Sequence, residues 1–169
     1  MNLNELNKME RDEFVAVLGE VFEDTPAIAQ QAWKQRPFAN VEALHQCMVE
    51  VVDRMTVDEK MELMRSHPDL GSQASMADAS VKEQSGVGLD RLTLEEYQQF
   101  QESNRAYQER FGFPFIVAVK NHTKASILKT FQTRLENSVE IERSQALAEI
   151  AQIARFRLDE LFRLDELLS

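Results

Sequence analysis

Hydrophobic residues recur along most of this chain at intervals of three and four positions, which is the repeat of an amphipathic α-helix rather than that of a β-strand. In residues 14–22, for example, the apolar side chains fall at i, i+3, i+4, i+7 and i+8. The pattern predicts an all-α fold in which the helices turn their apolar faces toward a core. The predicted helical segments, with their capping residues, are 14–22, 27–33, 40–55, 56–64, 93–111, 125–136 and 137–168.

Polar residues stand where several of these helices should begin. An asparagine, serine or threonine before an apolar stripe can accept a hydrogen bond from a free backbone N–H, and a glutamate three residues later completes a capping box. Gly112 follows the segment that ends at Phe111 and can take the left-handed conformation that terminates a helix. The predicted caps are Asn40, Thr56 with Glu59, Thr93 with Glu96, and Asn137 with Glu140.

One short stretch breaks the helical pattern. Residues 115–119 are apolar and rich in β-branched side chains, but no partner strand is evident elsewhere in the sequence. We therefore predict a lone extended segment that threads a helical core. No repeat or linker divides residues 1–169. The complete prediction is a single-domain, all-α helical bundle with one short extended segment near 115–119.

Residues 65–91 are irregular by comparison. They hold three of the five glycines and few large apolar side chains, and their periodicity is weak. A stretch of this length is uncommon in a compact domain unless it is functional or mobile. Because sites are often carried by loops on a rigid scaffold, we expect the candidate chemistry to lie here.

Composition and charge narrow the possible functions. Of the 169 residues, 43% are hydrophobic and 28% are charged, which is the balance of an ordinary soluble protein. The net charge of −10 repels phosphate backbones and anionic lipids, so we expect neither nucleic-acid nor membrane binding. A single cysteine, Cys47, excludes an intramolecular disulfide and is compatible with a reducing cytoplasm. No group of residues has metal-ligand spacing, so no metal is predicted.

His67 is the histidine with the strongest case for chemistry. It opens the irregular region and precedes Pro68, which fixes the direction of the chain and biases His67 toward extended geometry. An imidazole fixed in this way can give or take a proton near neutral pH. From spacing alone, a histidine that merely caps the end of a helix is an equally good interpretation.

Two further motifs carry charge or hydrogen-bonding groups. Ser80-Val81-Lys82-Glu83-Gln84 has the spacing of a capping box, with Ser80 as the N-cap. A helix that starts there would also present free N–H groups to an oxygen-rich ligand, so both interpretations stay open. Arg157 lies on the apolar stripe of the last helix, where a buried charge needs an anionic partner. A substrate carboxylate and Glu83 are the two candidates for that partner.

Taken in order, these motifs resemble those of the OHCU decarboxylases, where OHCU is 2-oxo-4-hydroxy-4-carboxy-5-ureidoimidazoline, an intermediate of urate breakdown. The resemblance covers nearly the whole chain. Each motif is weak alone, but the ordered set is specific. The motifs are Arg36-Pro37-Phe38, His67-Pro68-Asp69-Leu70, Ser80-x-x-Glu83-Gln84, Arg110-Phe111-Gly112-Phe113-Pro114-Phe115-Ile116, Arg134-Leu135-x-Asn137 and Ile153-Ala154-x-x-Arg157-Leu158.

The resemblance implies an all-α fold and cofactor-free conversion of OHCU to (S)-allantoin with release of CO2. By motif, His67 matches the family's proton-transfer histidine, Glu83 its catalytic glutamate, and Arg157 the arginine of the final helix that faces the pocket. The main chain of residues 115–119 matches a segment that binds the ureido and ring amides. The implied substrate-binding residues are Pro68, Ser80, Val81, Lys82, Gln84, Phe115, Ile116, Val117, Ala118 and Val119.

The resemblance also implies a homodimer that acts in the cytoplasm on a small ureidoimidazoline substrate. The stretch between His67 and Ser80 is short for the family, which predicts an altered loop shape with retained chemistry. Two other functions compete with decarboxylation. One is an acidic helical binding module without catalysis, and the other is a hydrolase acting on a related ureido or hydantoin substrate.

Overall fold

The computed structural model describes residues 1–71 and 78–168, with backbone only for residues 78, 79 and 164–168. The irregular stretch between His67 and Ser80 therefore lies partly outside the described residues. Within the described ranges there are nine α-helices, one turn of 3-10 helix and no β-strand, which confirms the all-α prediction. The helices are α1 (Leu3–Asn7), α2 (Arg11–Leu18), α3 (Pro26–Trp33), α4 (Val41–Asp53), α5 (Val57–Arg65), α6 (Asp78–Gly86), α7 (Leu94–Phe111), α8 (Lys124–Leu135) and α9 (Val139–Leu168), with the 3-10 helix at Val119–Asn121.

The chain divides into two compact units, of which the first comprises residues 1–63 and 151–169. Here α2 packs against α3, and α3 packs against α4. The core includes Phe14, Ile28, Leu44 and Met48, all fully buried. The first predicted helix is shorter than its apolar stripe, because α2 ends at Leu18 and the buried residues that follow lie in a turn.

Arg36 fixes the main chain of this first unit. Its guanidinium donates to the carbonyl oxygens of Asn7, Met9 and Trp33, at 3.0, 2.7 and 2.9 Å respectively. The guanidinium also lies 4.3 Å from the centroid of the Trp33 ring. An arginine can serve several carbonyls in this way because its five N–H donors spread in one plane.

The second unit comprises residues 64–150, and its core is aromatic. In it α7 packs against α8. Tyr107 of α7 meets the ring of Phe115 edge-on at 5.3 Å between centroids, and Phe115 stacks on Phe131 of α8 at 3.8 Å. Phe115 belongs to the segment that was expected to be extended. Residues 114–118 are neither helical nor paired as a strand, which matches that expectation, but Val119 already belongs to the 3-10 helix.

Most of the predicted helix ends are confirmed. The Asn40 side chain accepts from the Ala43 N–H at 2.7 Å, both hydrogen bonds of the Thr93–Glu96 capping box are present, and Gly112 ends α7 with φ of 80°. The predicted cap of the last helix was wrong by one residue. Ser138, not Asn137, accepts the N–H of Ile141, since the Asn137 side chain instead donates to a buried glutamate.

Candidate active site

The turn that carries His67 directly follows helix α5. Its backbone N–H donates to the carbonyl of Met64 at 3.3 Å, so the main chain of His67 closes the last turn of that helix. The His67 side chain is buried and Pro68 is half-buried. Just before the turn, Arg65 donates through Nε to the carbonyl of Gly112 at 3.0 Å. The beginning of the turn is thereby tied to the end of α7.

Helix α7 also holds the far side of this turn. Asn104 donates through Nδ2 to the Leu70 carbonyl at 2.9 Å, and Gln108 donates through Nε2 to Asp69 at 2.7 Å. Asn104 is buried, and its Oδ1 lacks a hydrogen-bond partner in the described part of the chain. Burying an acceptor without a hydrogen bond costs about 1–3 kcal/mol of stability. The stabilising contribution of Asn104 therefore comes from the hydrogen bond that its Nδ2 donates to the Leu70 carbonyl. Together these bonds tie residues on both sides of His67 to the neighbourhood of α7.

Helix α6 carries the Ser80–Gln84 motif, and it begins earlier than the capping box predicted. The helix starts at Asp78, so Ser80 lies inside it and is not the N-cap. Ser80 and Gln84, one turn apart, are buried, whereas Glu83 is half-buried. The exposed face carries Val81 and Lys82. Gln84 accepts the N–H of Gly71 at its Oε1 (3.1 Å), which ties α6 to the end of the His67 turn.

The segment 115–119 lies next to α6, because α6 packs against the 3-10 helix that begins at Val119. All five residues of the segment are buried, with at most 5% of any residue exposed. The structure therefore gathers the His67 turn, α6 and the segment within one unit. Hydrogen bonds and packing rather than chain proximity bring them together, since about fifty residues separate His67 from Val119.

A buried polar network that the sequence analysis did not anticipate holds this segment. Arg134 of α8 donates through Nη1 to the Ile116 carbonyl at 2.5 Å and through Nε to Glu142 of α9 at 2.8 Å. Tyr107 donates its hydroxyl to the same Glu142 oxygen, and Asn137 donates to the other. Burial, followed by the hydrogen bond to Glu142, raises the pKa of Tyr107. The sequence does indicate that Arg134 is buried, because it stands three residues after Phe131 on the apolar stripe of α8.

Glu149 of α9 approaches the same segment. Burial raises the pKa of Glu149 above its usual value of 4.5, while the Arg134 guanidinium and the Ala118 backbone oppose that rise. Glu149 was not singled out from sequence.

Arg157 belongs to the other unit, where it forms a buried ion pair. Its Nη2 lies 3.0 Å from the Glu23 carboxylate, and its Nη1 donates to the Glu20 carbonyl at 2.9 Å. The side chains are 8% exposed for Arg157 and 1% for Glu23. The predicted need for an anionic partner is therefore met by Glu23, which sequence reasoning did not name. Glu23 lies in the turn after α2, where spacing carries no signal.

No group of three or more histidine, cysteine, aspartate or glutamate side chains in residues 1–71 and 78–168 is arranged to hold a metal ion. No helix among the same residues is long and apolar enough to cross a membrane.

Comparison with known proteins gives consistent results. The family model described as OHCU decarboxylase matches residues 7–159. The chain is 38% identical to the 2-oxo-4-hydroxy-4-carboxy-5-ureidoimidazoline decarboxylase of Halalkalicoccus jeotgali, over 95% of this chain and 92% of that protein. It is 40% identical to the uric acid degradation bifunctional protein of Bacillus subtilis, over 94% of this chain but only 32% of that protein.

Solved structures share the architecture. A crystal structure of (S)-allantoin synthase matches with a TM-score of 0.78 and 27% identity, covering 95% of this chain and 54% of that one. A crystal structure of OHCU decarboxylase in the presence of (S)-allantoin matches with a TM-score of 0.71 over 91% of this chain and 99% of that one. At 22% identity, the second match supports the fold alone.

Proposed function

The chain belongs to the OHCU decarboxylase family, and we propose that it converts 2-oxo-4-hydroxy-4-carboxy-5-ureidoimidazoline to (S)-allantoin and CO2 without a cofactor. The structural observation that carries this proposal is in the second unit. Hydrogen bonds join the His67 turn to α6 and α7, another holds the buried segment 115–119 to α8, and α6 packs against the 3-10 helix that follows the segment. Such bracing is what a preorganised site requires.

The reaction requires groups that stabilise a developing negative charge and a group that delivers a proton. The C–C bond to the carboxylate breaks, CO2 leaves, and the bonding electron pair stays on the carbon that held it, delocalised onto the ring. Donors aimed at that developing charge lower the barrier most. A proton must then be delivered to one face of the ring system to give a single enantiomer. In this proposal, His67 transfers the proton and Glu83 orients His67 or the substrate hydroxyl.

Arg157 is proposed to orient the substrate carboxylate. This role comes from the resemblance to the family. Because Arg157 already shares its charge with the buried Glu23 carboxylate, it would bind a second anion less tightly than a free guanidinium would. Weak ground-state binding is useful here, since holding the substrate carboxylate tightly would not accelerate its loss.

The remaining predicted contacts keep the roles that the resemblance implies. Pro68, Ser80 and Gln84 would line the ligand from the turn and the buried face of α6. The main chain of residues 115–119 would meet its amide groups. Val81 and Lys82 stay predicted contacts, although their side chains are exposed. We further propose that residues 1–169 act as one OHCU decarboxylase-like domain, as a homodimer in the cytoplasm; sedimentation of the purified protein tests the dimer.

The experiment is an assay with freshly generated OHCU. We expect the protein to produce optically active (S)-allantoin and CO2 faster than spontaneous decay, without releasing ammonia. A His67→Ala variant should lose about 100-fold or more of this rate, the usual contribution of general acid–base catalysis. His45→Gln is the matched control, since His45 lies in the first unit and bonds only the Ala151 carbonyl among the contacts described. Racemic product at the spontaneous rate, or ammonia in place of CO2, would reject the proposal.

A further inference from the structure

The backbone of residues 115–118 is buried, so its polar groups are shielded from water. Buried peptide groups need hydrogen-bond partners, and a segment with no neighbouring strand cannot obtain them from a sheet. Arg134 of α8 supplies one such partner from outside the segment, because its Nη1 donates to the Ile116 carbonyl. The orientation of that peptide group is thereby set by a side chain of another helix.

Arg134 is itself held rigidly. A guanidinium is planar, so fixing one of its N–H groups fixes the direction of the others. Its Nε is bound to Glu142, and its central carbon lies 4.4 Å from the centroid of the Phe115 ring. Glu142 is fully buried and is held in turn by the Tyr107 hydroxyl. The orientation of the Ile116 peptide group therefore depends on a chain of contacts from α7, α8 and α9.

Stability alone explains this network poorly. Burying two charges costs several kcal/mol of desolvation per ion, and an apolar pair of the same volume is often equally stable or more so. An apolar pair, however, has no donor with which to orient a carbonyl group. The arrangement thus fits a requirement for geometry at residues 115–118.

We propose that Arg134, fixed by Glu142 and Tyr107, is a positioning residue that aims the peptide groups of residues 115–118 at the amide groups of the bound substrate. This inference rests on the proposed function. Arg134 acts only through the main chain and touches no reacting atom. Its loss should weaken substrate binding in protein that is still folded.

The test separates positioning from folding by measuring KM and kcat on protein shown to be folded. Partial unfolding lowers the active fraction, and therefore the apparent kcat, but leaves KM unchanged. A misplaced binding segment raises KM in every molecule. For Arg134→Lys, which keeps the charge and loses the planar fork, we expect a KM increase of about tenfold or more with native circular dichroism.

Arg36→Lys provides the matched control. Arg36 also binds main-chain carbonyls through its guanidinium, but it lies in the first unit, whereas the segment lies in the second. We expect this variant to lose thermal stability and to keep the wild-type KM. If Arg134→Lys behaves in the same way, the network serves folding only and the inference is wrong.

A milder variant covers the case in which Arg134→Lys does not fold. Tyr107→Phe keeps the buried ring and removes only the hydroxyl that holds Glu142. We expect a threefold or greater increase in KM, and an unchanged KM in the folded variant would overturn the inference. An active wild type with unaffected variants refutes the inference alone. A wild type that does not turn over OHCU refutes the proposed function and this inference with it.

Discussion

The contribution of the buried Arg157–Glu23 ion pair to the free energy of unfolding can be tested directly. Glu23→Gln removes the negative charge while keeping the shape of the side chain and one acceptor oxygen. The buried Arg157 guanidinium then loses this opposite charge and keeps its hydrogen bond to the Glu20 carbonyl. Removing one member of a buried pair costs about 3–5 kcal/mol, and the retained acceptor places this substitution near the lower limit.

The assay is urea unfolding followed by tryptophan fluorescence. Trp33 is the only tryptophan and lies in the same unit as the pair, where its indole N–H donates to the Met9 carbonyl at 3.0 Å. With a loss of about 3 kcal/mol and a urea dependence of about 2 kcal/mol per molar, the midpoint should fall by about 1.5 M. Because proteins of this kind are stable by about 5–15 kcal/mol, the variant should still fold in water.

A surface pair on the same helix is the control. Arg155 and Asp159 also lie 3.0 Å apart, but their side chains are 39% and 53% exposed. Asp159→Asn should therefore change the free energy of unfolding by about 0.5 kcal/mol or less. Combining Glu23→Gln with Arg157→Met should recover about 2 kcal/mol relative to the sum of the single variants. The reasoning fails if Glu23→Gln is as mild as the surface control.

Two further predictions concern the second unit. Because the fold raises the pKa of Glu149 above 4.5, the charged carboxylate costs stability as pH rises through the raised value, and that cost is absent below pH 4.5. Glu149→Gln should therefore stabilise the protein at pH 7.5 and leave it nearly unchanged at pH 4, as measured by urea unfolding; an equal gain at both values contradicts this. Gly71→Ala should lose about 1–2 kcal/mol or more, since Gly71 has φ of 71°, a left-handed conformation that alanine adopts at a cost, and since a Cβ there would lie 2.7 Å from Leu92 Cδ1. Gly86→Ala is its control, because a Cβ there meets nothing within 4 Å, and similar losses in both variants would contradict this reasoning.

Local physics made most of the helices predictable. The capping boxes at Thr56 and Thr93 form between residues three apart, so no distant part of the chain is needed to satisfy them. The end of α7 at Gly112 follows from the conformational freedom of one residue. Where neighbouring signals compete, sequence reasoning erred. Ser80 has the correct spacing for a cap, yet α6 begins at Asp78, three residues before the start that this cap predicts. Asn137 gives way to Ser138 because Glu142 engages its side chain.

The sequence by itself therefore determined the helical class, most helix ends and, through ordered motifs, the family. Only the tertiary structure decided which buried charges pair, with Arg157 meeting Glu23 and Arg134 meeting Glu142. The physical reason is that helix periodicity depends on neighbours a turn apart. A buried charge, in contrast, is stabilised by whichever opposite charge the fold brings within about 3 Å, and that partner can lie anywhere along the chain.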